Sequence, residues 1–304
     1  MIEIGMHGAV RLREIAFEIV DRIRSNIYLR AIMADTLAKF GLVTLSLYII
    51  FAVFGPYIVP YDPMQINYGP DGTSLRLESP SSDHWLGTTN LGRDVLSQTI
   101  YGARVSIIVG FTSATISVII GTNIGLISAY VGGRVDDVLM RLTDIAYGIP
   151  LLPFAIVIVV MLGSSLINII LAIILLQWRA TARVIRSQVL SHKERPYVES
   201  AEAIGAGRLR IMYIHIFPNV LPLAYLYVAF SVGWAIITEA SIAFLGLGDP
   251  TSVSWGNMIF TAYGAEVLRT AWWWVFPPGI SIMLLVMSVF FIGRALERPR
   301  DFAM

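Results

Sequence analysis

Long apolar segments separated by short polar ones dominate this chain. A helix needs roughly 20 mostly apolar residues to cross the hydrocarbon core of a bilayer. Six segments meet or approach that length: 40–59, 105–131, 143–162, 164–178 with room to extend toward Arg183, 220–237 with a second apolar stretch to Leu247, and 272–292. The pattern predicts an all-α polytopic membrane protein with six transmembrane helices.

The composition supports this class and excludes several others. Hydrophobic residues make up 56% of the 304 residues and charged residues 14%, whereas soluble domains carry about 25% charged residues. The net charge of +1 argues against a nucleic-acid-binding surface. The absence of cysteine excludes thiol catalysis, disulfide bonds and Cys-ligated zinc.

The distribution of Lys and Arg predicts the orientation of the spans. With six spans both termini share one side, and the segments on that side carry 18 Lys and Arg residues, against four on the other side. Because Lys and Arg are retained on the cytoplasmic side, both termini and the 179–218 loop are expected in the cytoplasm. The chain is expected to be a multi-pass protein of the plasma or inner membrane.

The tail before the first span has the pattern of an amphipathic helix. Leu12, Ile15, Ile19 and Ile23 recur at helical spacing. Such a helix can lie on the membrane surface or pack against a partner subunit, and the sequence leaves both readings open.

The second span contains a stripe of small residues at every fourth position: Ser113, Ser117, Gly121, Gly125 and Ala129. Small residues at this spacing let helix backbones approach closely, so we expect a tight helix–helix contact, with a substrate path as the alternative. Asn123 lies beside the stripe and is a candidate for a bond across helices or for the pore.

Two acidic residues fall inside predicted spans, where a charge needs a partner or water. Asp144 lies three residues after Arg141, so a helical ion pair is expected there. Glu239 is a pore candidate that faces either a central aqueous cavity or the outer interface; the sequence does not choose between them.

Enzymatic motifs are missing from the sequence. There is no G-x-x-x-x-G-K-[ST] phosphate loop, no H-E-x-x-H zinc pair and no G-x-S-x-G nucleophile elbow. The four histidines, His7, His84, His192 and His215, are scattered along the chain. A membrane-embedded enzyme would need converging catalytic groups, and we therefore expect neither a catalytic site nor a cofactor or metal site in this chain.

The polar segment 197–218 is predicted to be a compact helical protrusion. Residues 198–204 favour a helix, Gly205 suits a left-handed or tight turn, and residues 208–217 resume a helix that Pro218 ends. Ala201 and Ala203 are expected to leave one surface small enough for close docking. Long connections between spans tend to carry function.

This segment resembles the "EAA" coupling motif of ATP-binding-cassette importer permeases. Glu199 and Ala201 match the first and third residues of Glu-Ala-Ala, and Ser200 replaces the second. Gly205 matches the glycine, and 215–218 match a later Ile-x-Leu-Pro with His and Phe substituted. Segments 84–106 and 244–258 resemble the C-type permease subunit of dipeptide, oligopeptide and nickel importers. The similarity covers roughly residues 36–295 and implies the type I importer permease (MetI-like) fold.

The resemblance implies a mechanism and a set of partners. The chain would form half of a translocation pathway with a B-type permease subunit, two separate ATPases holding ATP and Mg²⁺, and an extracytoplasmic binding protein. Coupling to the ATPases is assigned to Glu199, Ser200, Ala201, Ala203, Gly205, Arg208 and Arg210. Contact with the binding protein, or a cover over the pore mouth, is assigned to Gly87, Asn90, Gly92, Arg93 and Asp94. A purely structural loop braced by an ion pair of Arg93 or Asp94 is the alternative.

These expectations divide the chain into a cytoplasmic tail (1–39), a first span with an extracytoplasmic loop (40–104), a core of five spans with the coupling loop (105–292) and a C-terminal tail (293–304). The expected cargo is a dipeptide or oligopeptide. Oligosaccharide or nickel cargo within the same importer class, and an ATP-independent secondary transporter or channel, are the alternatives.

Overall fold

A computed structural model describes residues 27–297. The predicted amphipathic helix around Leu12 and Ile23 lies outside these residues. The helices in chain order are α1 (Ile27–Ala34), α2 (Thr36–Ile58), α3 (Val95–Val131), α4 (Gly133–Gly148), α5 (Leu151–Leu162), α6 (Leu166–Lys193), α7 (Pro196–Ala203), α8 (Arg208–Leu247), α9 (Trp255–Gly264) and α10 (Trp272–Leu296). Residues 27–297 contain two isolated β-bridges and no strand, which confirms the all-α prediction.

Within the described residues, α2, α3, α6, α8 and α10 are each long and apolar enough to cross a membrane. Helices α4 and α5 pass the same test only as a pair, and they are bent by 86° at the break between them. Ile149 at this break has an extended backbone, as expected for a residue that precedes a proline. The third predicted span is therefore a broken one, and six spans result only if the bent pair counts as one.

Two helices are longer than the apolar pattern predicts, and a third is not predicted at all. Helix α3 has 37 residues, about 55 Å, because Asp94 caps its N-terminus well before the predicted start. Helix α6 continues past Arg183 to Lys193. Helix α9 lies in a segment for which the sequence predicts no helix, and the Ser254 side chain caps it by accepting from Asn257 N.

The expectation that Pro218 ends a helix is wrong. Helix α8 runs from Arg208 through Pro218 without interruption. A π-helical segment, Ile211–Ile216, precedes the proline, and Pro218 then falls in the first turn of the α-helical part, Phe217–Ile242. A proline is tolerated in a first turn because its missing N–H would have no partner there.

The small-residue stripe of α3 packs against α6, which confirms the predicted tight contact. All five stripe residues are buried. A Cβ atom added at Gly121 would collide with the Trp178 carbonyl oxygen, and one at Gly125 with that of Ala182. The two backbones are therefore too close for any larger residue at these positions.

Side-chain bonds show which helix ends lie together. At one end, called the α7 end, the Arg294 guanidinium near the end of α10 is 2.7 Å from Asp35 at the start of α2. At the opposite end, Trp255 Nε1 of α9 donates to Thr99 O near the start of α3, at 2.8 Å. Helix ends thus alternate along the chain, and the described chain begins and finishes at the α7 end.

Candidate functional site

The turn after α7 is a helix-terminating motif built around Gly205. Gly205 N donates to Glu202 O at 2.9 Å, and Ala206 N donates to Ala201 O at 3.0 Å. This pair of bonds defines the Schellman motif, whose key residue is left-handed. Gly205 has a φ of +80°, which confirms the predicted left-handed turn.

The surface around this turn is apolar and exposed. Ile204 is 85% exposed and Leu209 is 71% exposed. Both lie within four residues of Gly205, so they are part of the turn region. We call Ile204, Gly205 and Leu209 the α7 tip. Arg208 and Arg210 are exposed beside it. An exposed apolar patch rimmed by polar residues marks an interaction site.

The inner face of α7 holds the helix on the bundle. Val198 and Ala201 are buried among Val118, Ile185 and Ile216, while Glu199, Ser200 and Ala203 are exposed. The expectation that Ala201 and Ala203 share one docking surface is therefore wrong, because they lie on opposite faces. The Ser200 hydroxyl donates to Pro196 O at 2.8 Å and stays within its own helix.

Below the tip, charged side chains tie the helices together. Arg186 of α6 donates two hydrogen bonds to the Asp136 carboxylate of α4, at 2.7 and 2.5 Å. The Ser128 hydroxyl of α3 also donates to Asp136, and Lys193 Nζ donates to Tyr130 O at 2.9 Å. A bidentate Arg–carboxylate pair fixes the orientation of its two side chains as well as their distance. The helix ends to which α7 is connected are therefore held firmly together.

At the opposite end, the connection between α2 and α3, residues 59–94, forms a densely bonded loop that we call the long loop. Its centre is Asp94, which is 1% exposed. The Asp94 carboxylate accepts from Ser97 N and Ser97 Oγ, both at 2.7 Å, and lies 2.9 Å from His84 Nδ1. Asp94 is thus held by His84 and Ser97, and Arg93 forms no ion pair among residues 27–297.

The other predicted residues of the long loop form a tight turn before α3. Gly87 and Gly92 have φ values of +63° and +73°. A Cβ atom at Gly87 would lie 2.5 Å from Glu78 O, so no side chain fits there. Asn90 and Arg93 lie at the surface of this turn and line the same cleft. The structure thus shows a closely packed turn at these residues, and their contact with a binding protein stays a prediction.

The largest of the cavities described here opens beside the break between α4 and α5. It has a volume of about 540 Å³ and is lined by aromatic residues together with Gln177 and Arg179. Arg179 donates to Ala146 O at 2.7 Å and to Ile149 O at 3.2 Å, so it satisfies carbonyls at the end of α4. Gln177 Nε2 donates to Ser231 O, while its Oε1 atom has no partner.

Two of three intramembrane expectations change with the structure, and the third is confirmed. Asp144 pairs with Arg183 of α6 at 2.5 Å and not with Arg141, because packing brings α6 closer than the neighbouring turn. Glu239 is 1% exposed inside the bundle, beside Ser254, and so faces neither a cavity nor the interface. Asn123 bonds across helices as predicted, since Tyr213 OH donates to its Oδ1 at 2.9 Å.

Sequence reasoning missed several residues that shape these regions. His84 counted only as a scattered histidine, although its spacing of ten residues from Asp94 within one loop was a usable signal. Ile204 and Leu209 are apolar residues in a polar segment, which was a signal of docking. Asp249 was also missed: burial raises the pKa of its carboxyl group, but hydrogen bonds from Thr251 and from Leu166 N outweigh this and leave the pKa below its usual value.

Comparison with known proteins places these features in one family. Residues 121–300 match the family model described as "Binding-protein-dependent transport system inner membrane component", and residues 27–80 match "N-terminal TM domain of oligopeptide transport permease C". The dipeptide transport system permease protein DppC of Bacillus subtilis is 35% identical over 90% of this chain and 83% of its own length.

Two further relatives agree. The oligopeptide transport system permease protein OppC of Bacillus subtilis is 35% identical over 88% of this chain and 86% of its own. The di/tripeptide transport system permease protein DppC of Pseudomonas aeruginosa is 35% identical over 86% of each chain. The resemblance read from the motifs is confirmed: the chain belongs to the family of binding-protein-dependent transport system inner membrane components, the permeases of ATP-binding-cassette importers.

Proposed function

We propose that this chain is the C-type permease subunit of a peptide importer and that the α7 tip couples it to separate ATPases. The observation that carries the coupling is the exposure of Ile204 and Leu209 on a turn fixed by Gly205. A turn at the end of a short, anchored helix can transmit a push or a pull to α6 and α8. A lone carrier has no motor for such a surface to contact.

The partners follow from the family and from what the sequence lacks. The chain has no phosphate-cradling loop, so ATP and Mg²⁺ belong to two partner ATPases. A B-type permease subunit supplies the other half of the pathway, and a binding protein delivers cargo from outside. ATP binding biases the pore only through contacts that differ between states, which the α7 tip supplies.

We assign roles within the coupling segment by exposure. Glu199, Ala203 and Gly205 are exposed toward the ATPase, and Ser200 completes the same face. Arg208 and Arg210 contact acidic or carbonyl groups on the ATPase. Ala201 acts from the inner face, because its burial sets how closely α7 lies on the bundle.

We further propose that the α7 end is cytoplasmic, with both termini on that side, which follows from the positive-inside count. The chain lacks cysteine, so a single cysteine introduced at Gly207 or at Pro70 gives a clean topology test. We expect an impermeant thiol reagent to label position 70 from outside and position 207 only after permeabilisation. Labelling of position 207 in intact cells would contradict this orientation.

The cavity at the α4–α5 break is our candidate for the pathway face. It is open, lies among helices of the membrane region, and combines apolar walls with Arg179. A charged residue that lines a cavity inside a membrane protein marks a substrate or ion path. Its volume of about 540 Å³ is in the range of small-molecule sites.

Peptide cargo is supported by the relatives, whose names state dipeptide, oligopeptide or di/tripeptide transport. Oligosaccharide and nickel cargo are the alternatives within the same class. Uptake assays that offer all three to the complete complex distinguish them.

The decisive experiment reconstitutes the chain with its partners in vesicles. We expect peptide uptake to require ATP, and Ile204→Glu to lower ATPase binding about 30-fold or more, as buried interface anchors do. Ile204→Leu is the matched control and keeps the apolar tip. Uptake by the purified chain alone under an ion gradient would instead establish a secondary transporter.

A further inference from the structure

A small cleft opens at the end of the bundle opposite the α7 tip. It lies between the turn before α3 and helix α9, and its volume is about 200 Å³. Asn90, Arg93 and Trp274 are among the residues that line it. A neighbouring cavity of about 70 Å³ is also lined by Arg93, so the Arg93 side chain borders both. We call the larger one the Arg93 cleft.

Two hydrogen-bond donors at this cleft have no acceptor in the described part of the chain. They are Nε of Arg93 and Nε1 of Trp274. Trp274 is 2% exposed, and the Arg93 Nε atom is itself buried. Buried polar groups are nearly always hydrogen-bonded, so two unsatisfied donors on residues that line one cleft show that the polar groups around it lack acceptors.

The Arg93 charge is also unbalanced. None of the ion pairs within residues 27–297 includes Arg93, and its NH1 atom donates to the Met64 sulfur, a weak acceptor, at 3.9 Å. The adjacent Asp94 is already engaged by His84 and Ser97. No acidic residue lines the cleft or its neighbour.

We propose that the Arg93 cleft binds one carboxylate group, supplied by an acidic side chain of the extracytoplasmic binding protein. A carboxylate in the cleft accepts from the Arg93 guanidinium and neutralises its charge, whereas water would supply an acceptor without the charge. Arginine holds carboxylates in a fork of parallel hydrogen bonds. The proposal rests on the proposed function, because it needs a binding protein as partner.

The size of the cleft favours a protein side chain over the transported solute. Sites for small molecules have volumes of about 300–1,000 Å³, and the Arg93 cleft has about 200 Å³. One Asp or Glu side chain fits this space. The cleft also lies at the end of the bundle opposite the α7 tip. This is the end at which the binding protein would deliver its cargo.

The test measures how tightly the substrate-free binding protein binds the complete importer in nanodiscs. We expect Arg93→Gln to weaken binding about 10- to 100-fold, as loss of a charge-assisted pair does. Arg93→Lys restores only part of the affinity, because lysine lacks the fork, and Trp274→Phe weakens binding several-fold. Arg76→Gln is the matched control: it removes the same charge from an exposed position on the long loop and changes affinity less than about threefold.

Replacing each Asp and Glu of the binding protein by its amide identifies the partner carboxylate. One such variant is expected to show no additional loss when combined with Arg93→Gln. Equal losses for Arg93→Gln and Arg76→Gln, or unchanged affinity in both Arg93→Gln and Trp274→Phe, would refute the site. A loss that appears only when peptide is present assigns the carboxylate to the cargo and refutes the protein partner.

The same preparation separates this inference from the function on which it rests. If the wild-type complex fails to take up peptide with ATP, the proposed function fails. If wild-type uptake is ATP-dependent and the Arg93 variants bind normally, only the Arg93 cleft proposal fails. Co-purification of each variant with the partner permease verifies that the fold is intact.

Discussion

The α7 tip and the long loop both contain a turn at a left-handed glycine, but the turn is exposed in the first and buried in the second. Both turn on glycines in the left-handed region, Gly205 at φ +80° and Gly87 at φ +63°. A Cβ atom at Gly205 would meet no atom within 4 Å, but one at Gly87 would lie 2.5 Å from Glu78 O and 2.7 Å from Trp273 Cδ1. The first glycine lies in an exposed turn, which we propose contacts another protein, whereas the second lies in a closely packed part of this one.

The hydrogen bonds of the long loop and of the α7 tip also differ. The long loop buries the Asp94 carboxylate, which bonds to the His84 ring and to Ser97 of α3, and two threonine hydroxyl groups that bond to the loop backbone. The α7 tip has backbone bonds only, and its apolar side chains point away from the bundle. Stability is therefore concentrated at one end and contact surface at the other.

The strongest test of this contrast replaces each glycine by valine. We expect Gly205→Val to abolish ATP-driven uptake while the permease pair stays inserted, because a left-handed valine costs ~1–3 kcal/mol and the turn must change shape. Gly87→Val should prevent accumulation of the chain, since steric overlap adds to the same strain. Uptake and membrane insertion are measured together.

Gly207→Val is the control for the α7 tip. Gly207 has φ −67° and ψ 151°, a conformation open to valine, and a Cβ atom there meets nothing within 4 Å. We expect it to retain most of the uptake. Wild-type uptake by Gly205→Val would refute the coupling role of the turn.

A second test compares two aspartates of the long loop. Asp94→Ala removes the helix cap of α3 and leaves His84 and Ser97 without their acceptor, so the unfolding free energy should fall by about 2–4 kcal/mol. Asp71 is exposed and bonds only to Thr73 nearby, and Asp71→Ala should cost less than ~1 kcal/mol. Thermal unfolding of the purified permease pair measures both. Equal losses would mean that the buried network adds no stability.

The sequence is sufficient for the fold class because apolar length decides it. The starts of the spans at residues 40 and 272 come within a few residues of the helices α2 and α10. The Gly205 turn can equally be predicted from the sequence, since glycine is the residue that the left-handed position favours. These features depend on local chemistry.

Features that depend on contacts between distant segments could not be read in this way. Asp144 has Arg141 one turn away, yet it pairs with Arg183 because α6 packs alongside α4. Pro218 would end an isolated helix, but the π-helical segment before it lets α8 continue. Glu239 is buried by helices far from it in sequence, so its periodicity could not reveal its surroundings.

The smallest expected effect concerns the hydrogen bond between Tyr213 and Asn123, which joins the start of α8 to α3 near the α7 tip. Tyr213 is exposed and Asn123 is half-buried, so Tyr213→Phe and Asn123→Ala should each lower the unfolding free energy by less than about 1 kcal/mol. A double-mutant cycle isolates the bond, and we expect a coupling energy of roughly 0.5 kcal/mol.

Uptake measured on the same variants decides whether Asn123 also serves the pathway. If the bond only braces α8, Tyr213→Phe and Asn123→Ala reduce uptake equally and slightly, because either change removes the same contact. If the Asn123 amide contacts cargo, Asn123→Ala changes the peptide KM while Tyr213→Phe does not. A KM effect confined to Asn123→Ala would therefore place cargo at the α7 end of α3, and would show that this end combines contact surface with transport chemistry.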